Sequence, residues 1–168
     1  TVGLLDLTRG ELGTRGTADI RTAEANKAKE MMGAAFRWHL EMTDGFFAPS
    51  PENTHKIITA IRACQPTIVL ANALSDRHPD HGRAAKLVAD ACFYSGLAKI
   101  ETTDEQGQPQ LKWRPDNLYH YIQDHNLVPD FVVDITTYID RKMELIMAYD
   151  SQFHSPESTH YQQEAATP

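Results

Sequence analysis

Several things are scarce in these 168 residues, and each scarcity removes a class of function. No apolar run approaches the roughly 20 residues that a membrane-spanning helix needs. Positive charge is in the minority: 16 Lys and Arg stand against 23 Asp and Glu, for a net charge of -7. That balance argues against a nucleic-acid partner, whose phosphates are bound by clustered cations that release counterions. Cysteine is limited to Cys64 and Cys92, both in helical stretches and without CxxC or metal-ligand spacing. They are expected as reduced thiols, which fits a cytoplasmic protein. There is no HExxH and no GxGxxG, so neither a zincin helix nor a dinucleotide-binding turn is inferred. An initiator methionine is missing too. The chain opens on Thr1-Val2-Gly3-Leu4-Leu5-Asp6-Leu7, in what reads as a strand, and stops at Ala165-Ala166-Thr167-Pro168. It is expected to be the middle of a longer protein, and the lack of a signal peptide carries no information.

What is present is the composition of an ordinary globular chain, 41% hydrophobic and 23% charged. This length suits one domain that buries roughly 70% of its unfolded surface. Val2 to Leu7 predicts a strand. Thr8 to Thr17 follows as a loop with Gly10, Gly13 and Gly16 at every third position, which permits tight turns and close backbone approach. Thr17 or Asp19 can cap a helix that runs to Gly33. Arg21 falls in its first turn, where a cation opposes the helix dipole. Such a cation has either a carboxylate partner or an anionic ligand.

Phe36 to Met42 alternates apolar and polar residues and predicts a strand. Pro51 or Asn53 opens a helix through Ile57, Ile58, Ile61 and Cys64, closed by Gln65-Pro66. Thr67-Ile68-Val69-Leu70-Ala71 reads as a buried strand, and Arg83 to Leu97 as an amphipathic helix. Two strand–helix–strand passages in succession predict an α/β fold with a mostly parallel sheet. Further strands are predicted at Leu118–Ile122 and Asp130–Ile135, then a helix from Thr136 or Thr137. Ser155 to Pro168 is expected as a polar loop or disordered tail.

Between the Thr67 strand and the helix lies Asp76-Arg77-His78-Pro79-Asp80-His81-Gly82-Arg83, with two His, two Asp and two Arg in eight residues. The carboxyl end of a strand is where open α/β sheets place their ligands. Two readings are open. The cluster is half of an active site, His78 and His81 doing different jobs with Asp80 holding an imidazole in one tautomer. Or it is a polar loop in which Asp80 caps the helix and the histidines are solvated. A catalytic zinc generally takes three protein ligands, and the scattered His39, His55, His120, His125, His154 and His160 complete no such set.

Asp6-Leu7-Thr8-Arg9-Gly10-Glu11-Leu12-Gly13-Thr14-Arg15-Gly16-Thr17, Ile20-Arg21 with Glu24-Ala25, Asp76-Arg77-His78-Pro79-Asp80-His81 and Tyr149-Asp150-Ser151-Gln152-Phe153 together resemble the LmbE-like (PIG-L) zinc deacetylases. Within that family the closest resemblance is to the bacillithiol-pathway enzymes that deacetylate N-acetylglucosaminyl malate. The resemblance runs from Thr1 to about His154 and implies a Rossmann-like three-layer sandwich, with residues 1–154 as the core portion of a deacetylase domain. It implies His81 as a ligand to one Zn2+, His78 as the residue that steadies the oxyanion or protonates the leaving amine, and Asp80 as its tuner. It implies Arg21 and Arg77 as a clamp for malate carboxylates, a role that suits planar guanidinium groups. Arg9, Glu11 and Gln152 are weaker candidates for sugar or loop contacts. Members of the family also carry a His-Pro-Asp-Asp motif before the residues that match Thr1, and a further C-terminal portion. The remaining metal ligands and the general base are therefore expected upstream of Thr1, and the chain alone is expected to be inactive. A homo-oligomer is implied as well. Two alternatives stay open: a deacetylase of another N-acetylglucosamine conjugate, and a non-catalytic α/β module that binds an anionic sugar.

Overall fold

The computed structural model describes residues 1–153, arranged as two compact units. One unit joins Thr1–Glu41 to the segment from Val133 onward, and the other is Met42–Val132. The expected polar tail at 155–168 lies outside the described residues.

In the first unit, β1 (Gly3–Asp6) and β2 (Phe36–His39) pair in parallel, with Gly3 opposite Phe36 and Asp6 opposite His39. The connection between them is α1 (Ala18–Met32). Its ends are fixed by local chemistry. The Thr17 hydroxyl accepts from the Ile20 N–H, and Gly33 takes the left-handed conformation (φ 72°) that closes the helix. Ala25 and Ala28 form its buried face, and their small side chains let α4 (Ile139–Met147) and α5 (Asp150–Phe153) approach. The strand ends are tied by Arg37. It grips Asp6 with two bonds, Nε to Oδ2 at 2.5 Å and Nη2 to Oδ1 at 2.9 Å, and Nη1 donates to the Tyr149 hydroxyl at 2.9 Å.

In the second unit, β3 (Ile68–Ala71) and β4 (Asn117–His120) pair in parallel, joined through α3 (Pro79–Tyr94). Preceding them, α2 (Pro51–Cys64) packs against α3, and Ile57, Ile58, Ile61, Ala85, Leu87 and Ala91 are buried. Arg62 is buried with them. Its guanidinium donates to the carbonyls of Ser95 (3.0 Å), Leu97 (2.9 Å) and Ile100 (2.6 Å) and to the Thr102 hydroxyl (2.9 Å). It thereby satisfies the carbonyls that follow α3, whose C-cap is Ser95.

The α/β class with parallel strands holds. Pro51 does open α2 as expected, after the N-cap Ser50, at a position where a missing N–H costs nothing. Three expectations are corrected. The helix after β3 begins at Pro79 rather than Arg83, so the His–Asp cluster runs into its first turn. Asp130–Ile135 forms no strand, because no described neighbour pairs with its backbone, and Val132 and Val133 stand in solvent. β3 is not buried either: Ile68 and Leu70 are exposed, since no described element covers that face. The strand–helix–strand passages are also distributed differently. β1–α1–β2 and β3–α3–β4 each close a parallel pair, whereas α2 joins strands of different sheets.

Candidate active site

The second unit places the imidazoles. His78 is the N-cap of α3, an unusual residue at that position, and its Nδ1 accepts from the Asp80 N–H at 3.3 Å. Pro79 is the first helical residue, and His81 follows with its N–H bonded to the His78 carbonyl at 3.1 Å. The two rings lie with centroids 5.0 Å apart. His81 Nδ1 is 3.0 Å from Oδ1 of Asp76, whose side chain is 1% exposed.

Those partners decide where the protons sit. A neutral imidazole carries one N–H. His78 accepts at Nδ1, so its hydrogen is on Nε2, and it can donate to an oxygen. His81 meets at Nδ1 a carboxylate that can only accept, so its hydrogen is on Nδ1 and its Nε2 is a bare lone pair. The neighbouring histidines hold opposite tautomers. Asp76 is itself firmly held, since it also accepts from the backbone N–H of His78 and of Asp124, each at 3.1 Å. The His78 N–H, then those of Asp124 and His81, hold its carboxyl down to about 2, well below the ordinary carboxylate value.

Asp80 is positioned differently from the expectation. Its buried carboxylate accepts from Gly45 N–H at 2.7 Å and pairs with Arg83 at 2.6 Å. Only its backbone N–H reaches His78. The carboxylate that orients an imidazole is Asp76, and the imidazole is that of His81. A signal for it was present: Asp76 stands two residues before His78 and ahead of a helix-opening proline, where an Asp side chain folds back on the backbone. Arg77 is exposed and makes a loose ion pair with Asp124 at 3.5 Å.

The first unit places the remaining candidates. Arg21 donates to the Gly10 carbonyl at 2.6 Å and to Gln152 Oε1, and Gln152 in turn donates to the Arg15 carbonyl at 2.9 Å. The glycine spacing now has a reason. A Cβ on Gly10 or Gly13 would collide with the Arg21 guanidinium, and Gly10 also needs its positive φ of 66°. Among the described residues Arg21 forms no salt bridge, and its Nε is buried without a hydrogen-bond partner. The guanidinium is met only by neutral oxygens. Arg9 is engaged elsewhere, with Asp19 at 2.6 Å, while its backbone N–H donates to Glu11 at 3.2 Å. The segment carrying Gln152 is anchored by Glu24, which accepts from the N–H (2.6 Å) and hydroxyl (2.8 Å) of Ser151.

For a metal, two imidazoles are oriented with Nε2 left bare: His120, whose Nδ1 donates to the Asn72 carbonyl at 2.7 Å, and His81, whose partner is a carboxylate. A histidine that gives its far N–H to a carboxylate is the usual arrangement of a metal-ligating imidazole, and His81–Asp76 has it. No group of three His, Cys, Asp or Glu that could hold an ion occurs among the described residues. No helix among them is long and apolar enough to cross a membrane.

The chain is similar to several known proteins. The sequence profile of PIG-L, GlcNAc-PI de-N-acetylase, matches residues 1–92. A diacetylchitobiose deacetylase of Thermococcus kodakarensis is 27% identical over 157 residues, 91% of this chain and 57% of that protein's length. The chain thus spans little more than half of that curated relative. A conserved protein of Thermus thermophilus superposes with a TM-score of 0.82 at 35% identity, covering 97% of this chain and 72% of that one. The N,N'-diacetylchitobiose deacetylase of Pyrococcus horikoshii, solved with an inhibitor, gives a TM-score of 0.75 at 25% identity over 98% of this chain and 63% of that one.

Proposed function

Because the chain belongs to the PIG-L (GlcNAc-PI de-N-acetylase) family, we propose that it is the core of an N-deacetylase acting on an N-acetylglucosamine unit. The observation that carries this reading is the pair of imidazoles at the start of α3, one presenting a donor and the other a bare lone pair. Metal-assisted amide hydrolysis uses both abilities: a group that donates to the carbonyl oxygen as it gains charge, and a lone pair that can hold the ion. His78, with its hydrogen on Nε2, suits the first role. His81 suits metal ligation through Nε2, with Asp76 fixing its orientation. A bound Zn2+ would supply Lewis acidity and an activated water. Among the described residues no group of three donors completes a site for it.

Within this reading the substrate is either the malate conjugate of N-acetylglucosamine, as in bacillithiol biosynthesis, or a neutral sugar such as diacetylchitobiose. Arg21 favours the first. A guanidinium enclosed by glycines and met only by neutral oxygens is suited to a carboxylate, while the relatives named above favour the second. Acetate release from both compounds, measured on the complete protein, separates them. Turnover of the malate conjugate, lost with Arg21→Ala, supports the carboxylate clamp. Turnover of diacetylchitobiose indifferent to Arg21→Ala and Arg77→Ala assigns the neutral sugar. Release from neither leaves a sugar-binding module. A cytoplasmic homo-oligomer is the proposed setting.

A further inference from the structure

Phe46 is 77% exposed, yet both of its neighbours are anchored. Gly45, at φ 73°, is held through both backbone groups: its N–H donates to Asp80 Oδ2 at 2.7 Å, and its carbonyl accepts from Arg83 Nη1 at 2.7 Å. Phe47, on the other side, is buried in the core of the same unit. The Phe46 N–H closes the turn onto the Thr43 carbonyl at 3.2 Å. A lone exposed aromatic needs no explanation by itself. Phe46 differs because its turn is clamped to the first turn of α3, by the residue that lies between His78 and His81. Leu74, on the connection that leads into the same helix, is exposed as well. The clamp leaves an apolar ring in water on a turn tied to the helix start that carries the imidazole pair.

We infer that Phe46 is a sugar-stacking residue of this site. One face of a pyranose ring presents C–H groups of slightly positive character, which pack on the negative face of an aromatic ring. Binding sites of this kind combine apolar walls with a few placed polar groups. Phe46 would supply the wall, and His78 a placed polar group. The role of Asp80 then follows from its contacts. It is a positioning residue, holding the Phe46 turn against α3 through Gly45.

The inference rests on the N-acetylated-sugar reading above, and its test separates the two. Steady-state acetate release from the malate conjugate and from diacetylchitobiose is compared for the complete protein and its Phe46→Ala and Phe46→Tyr variants, using whichever sugar the unaltered protein turns over, with melting temperatures recorded alongside. Loss of one stacking contact predicts a KM raised about tenfold in Phe46→Ala, with kcat changed less than about twofold and the melting temperature unchanged. Phe46→Tyr, which keeps the ring, should retain the original KM. Unchanged KM in Phe46→Ala overturns the stacking role while leaving the deacetylase reading intact. So does a fall confined to kcat. If the unaltered protein releases acetate from neither sugar, the deacetylase reading falls and the stacking role falls with it.

Discussion

The loop of the first unit and the helix start of the second solve opposite problems. Around Arg21 the chain encloses a permanent charge to which the described residues bring only neutral oxygens, from Gly10 and Gln152. Around His81 it buries a carboxylate and spends that charge on orienting a neutral ring. The first arrangement leaves an electrostatic demand unmet, and the second leaves one nitrogen with a defined lone pair. Unmet charge favours binding, and a defined tautomer favours chemistry. Arg62 sharpens the contrast, for it too meets no carboxylate among the described residues, but four oxygens surround it and it is buried. An arginine with that many acceptors is a structural pin.

The largest expected effect breaks the symmetry between the histidines. His81→Ala in the complete protein should lose both bound metal and turnover, whereas His78→Ala should keep its metal and lose roughly 10²- to 10⁴-fold in kcat, the range of a general acid–base group. Metal analysis and acetate release on the same samples check both. A His78→Ala protein without metal would contradict the division of roles. Next comes Asp76→Asn, whose amide cannot hold the Nδ1–H tautomer as a carboxylate does. Metal affinity or activity should fall about 10- to 100-fold, as for other orienting partners of ligating histidines. Titration with Zn2+ measures it.

On the arginine side, Gly13→Ala should act like a mild Arg21 mutation, because its new methyl displaces the guanidinium. KM should rise for the malate conjugate, and more than for diacetylchitobiose. Equal effects on both would remove the carboxylate clamp. The smallest effect concerns the fold and not the site. Burial pushes the Cys92 thiol up to about 11, so the native state resists forming a thiolate that the unfolded chain forms near its ordinary value of 9.0. That contribution is complete below pH 9 and fades as pH rises toward 11. Chemical unfolding at pH 8 and pH 10.5 should therefore show a smaller loss in Cys92→Ala than in the unaltered protein.

What could be read from the sequence was local. Thr17 and Gly33 bracket α1 because capping acts within a few residues, and β1, α2 and β4 follow from short apolar patterns and punctuation. Asp130–Ile135 carries the same strand-like residues but forms none, since a strand exists only where another backbone pairs with it. The early start of α3 was hidden because histidine is a rare cap, and capping rules look first to Ser, Thr, Asp or Asn. The candidate residues His78, Asp80 and His81 were visible as a cluster, but not how they are wired. Spacing alone does not reveal that Asp76 reaches His81 while Asp80 turns toward Gly45, thirty-five residues earlier.

The opposite tautomers of the two histidines are the most direct point of attack. A long-range proton–nitrogen NMR spectrum of the imidazoles reads which nitrogen carries hydrogen in each ring. His81 is predicted to be protonated at Nδ1 and His78 at Nε2, with Asp76→Asn disturbing only His81. The same tautomer in both rings would contradict the account, because neither the donor role of His78 nor the ligand role of His81 would then have its structural basis.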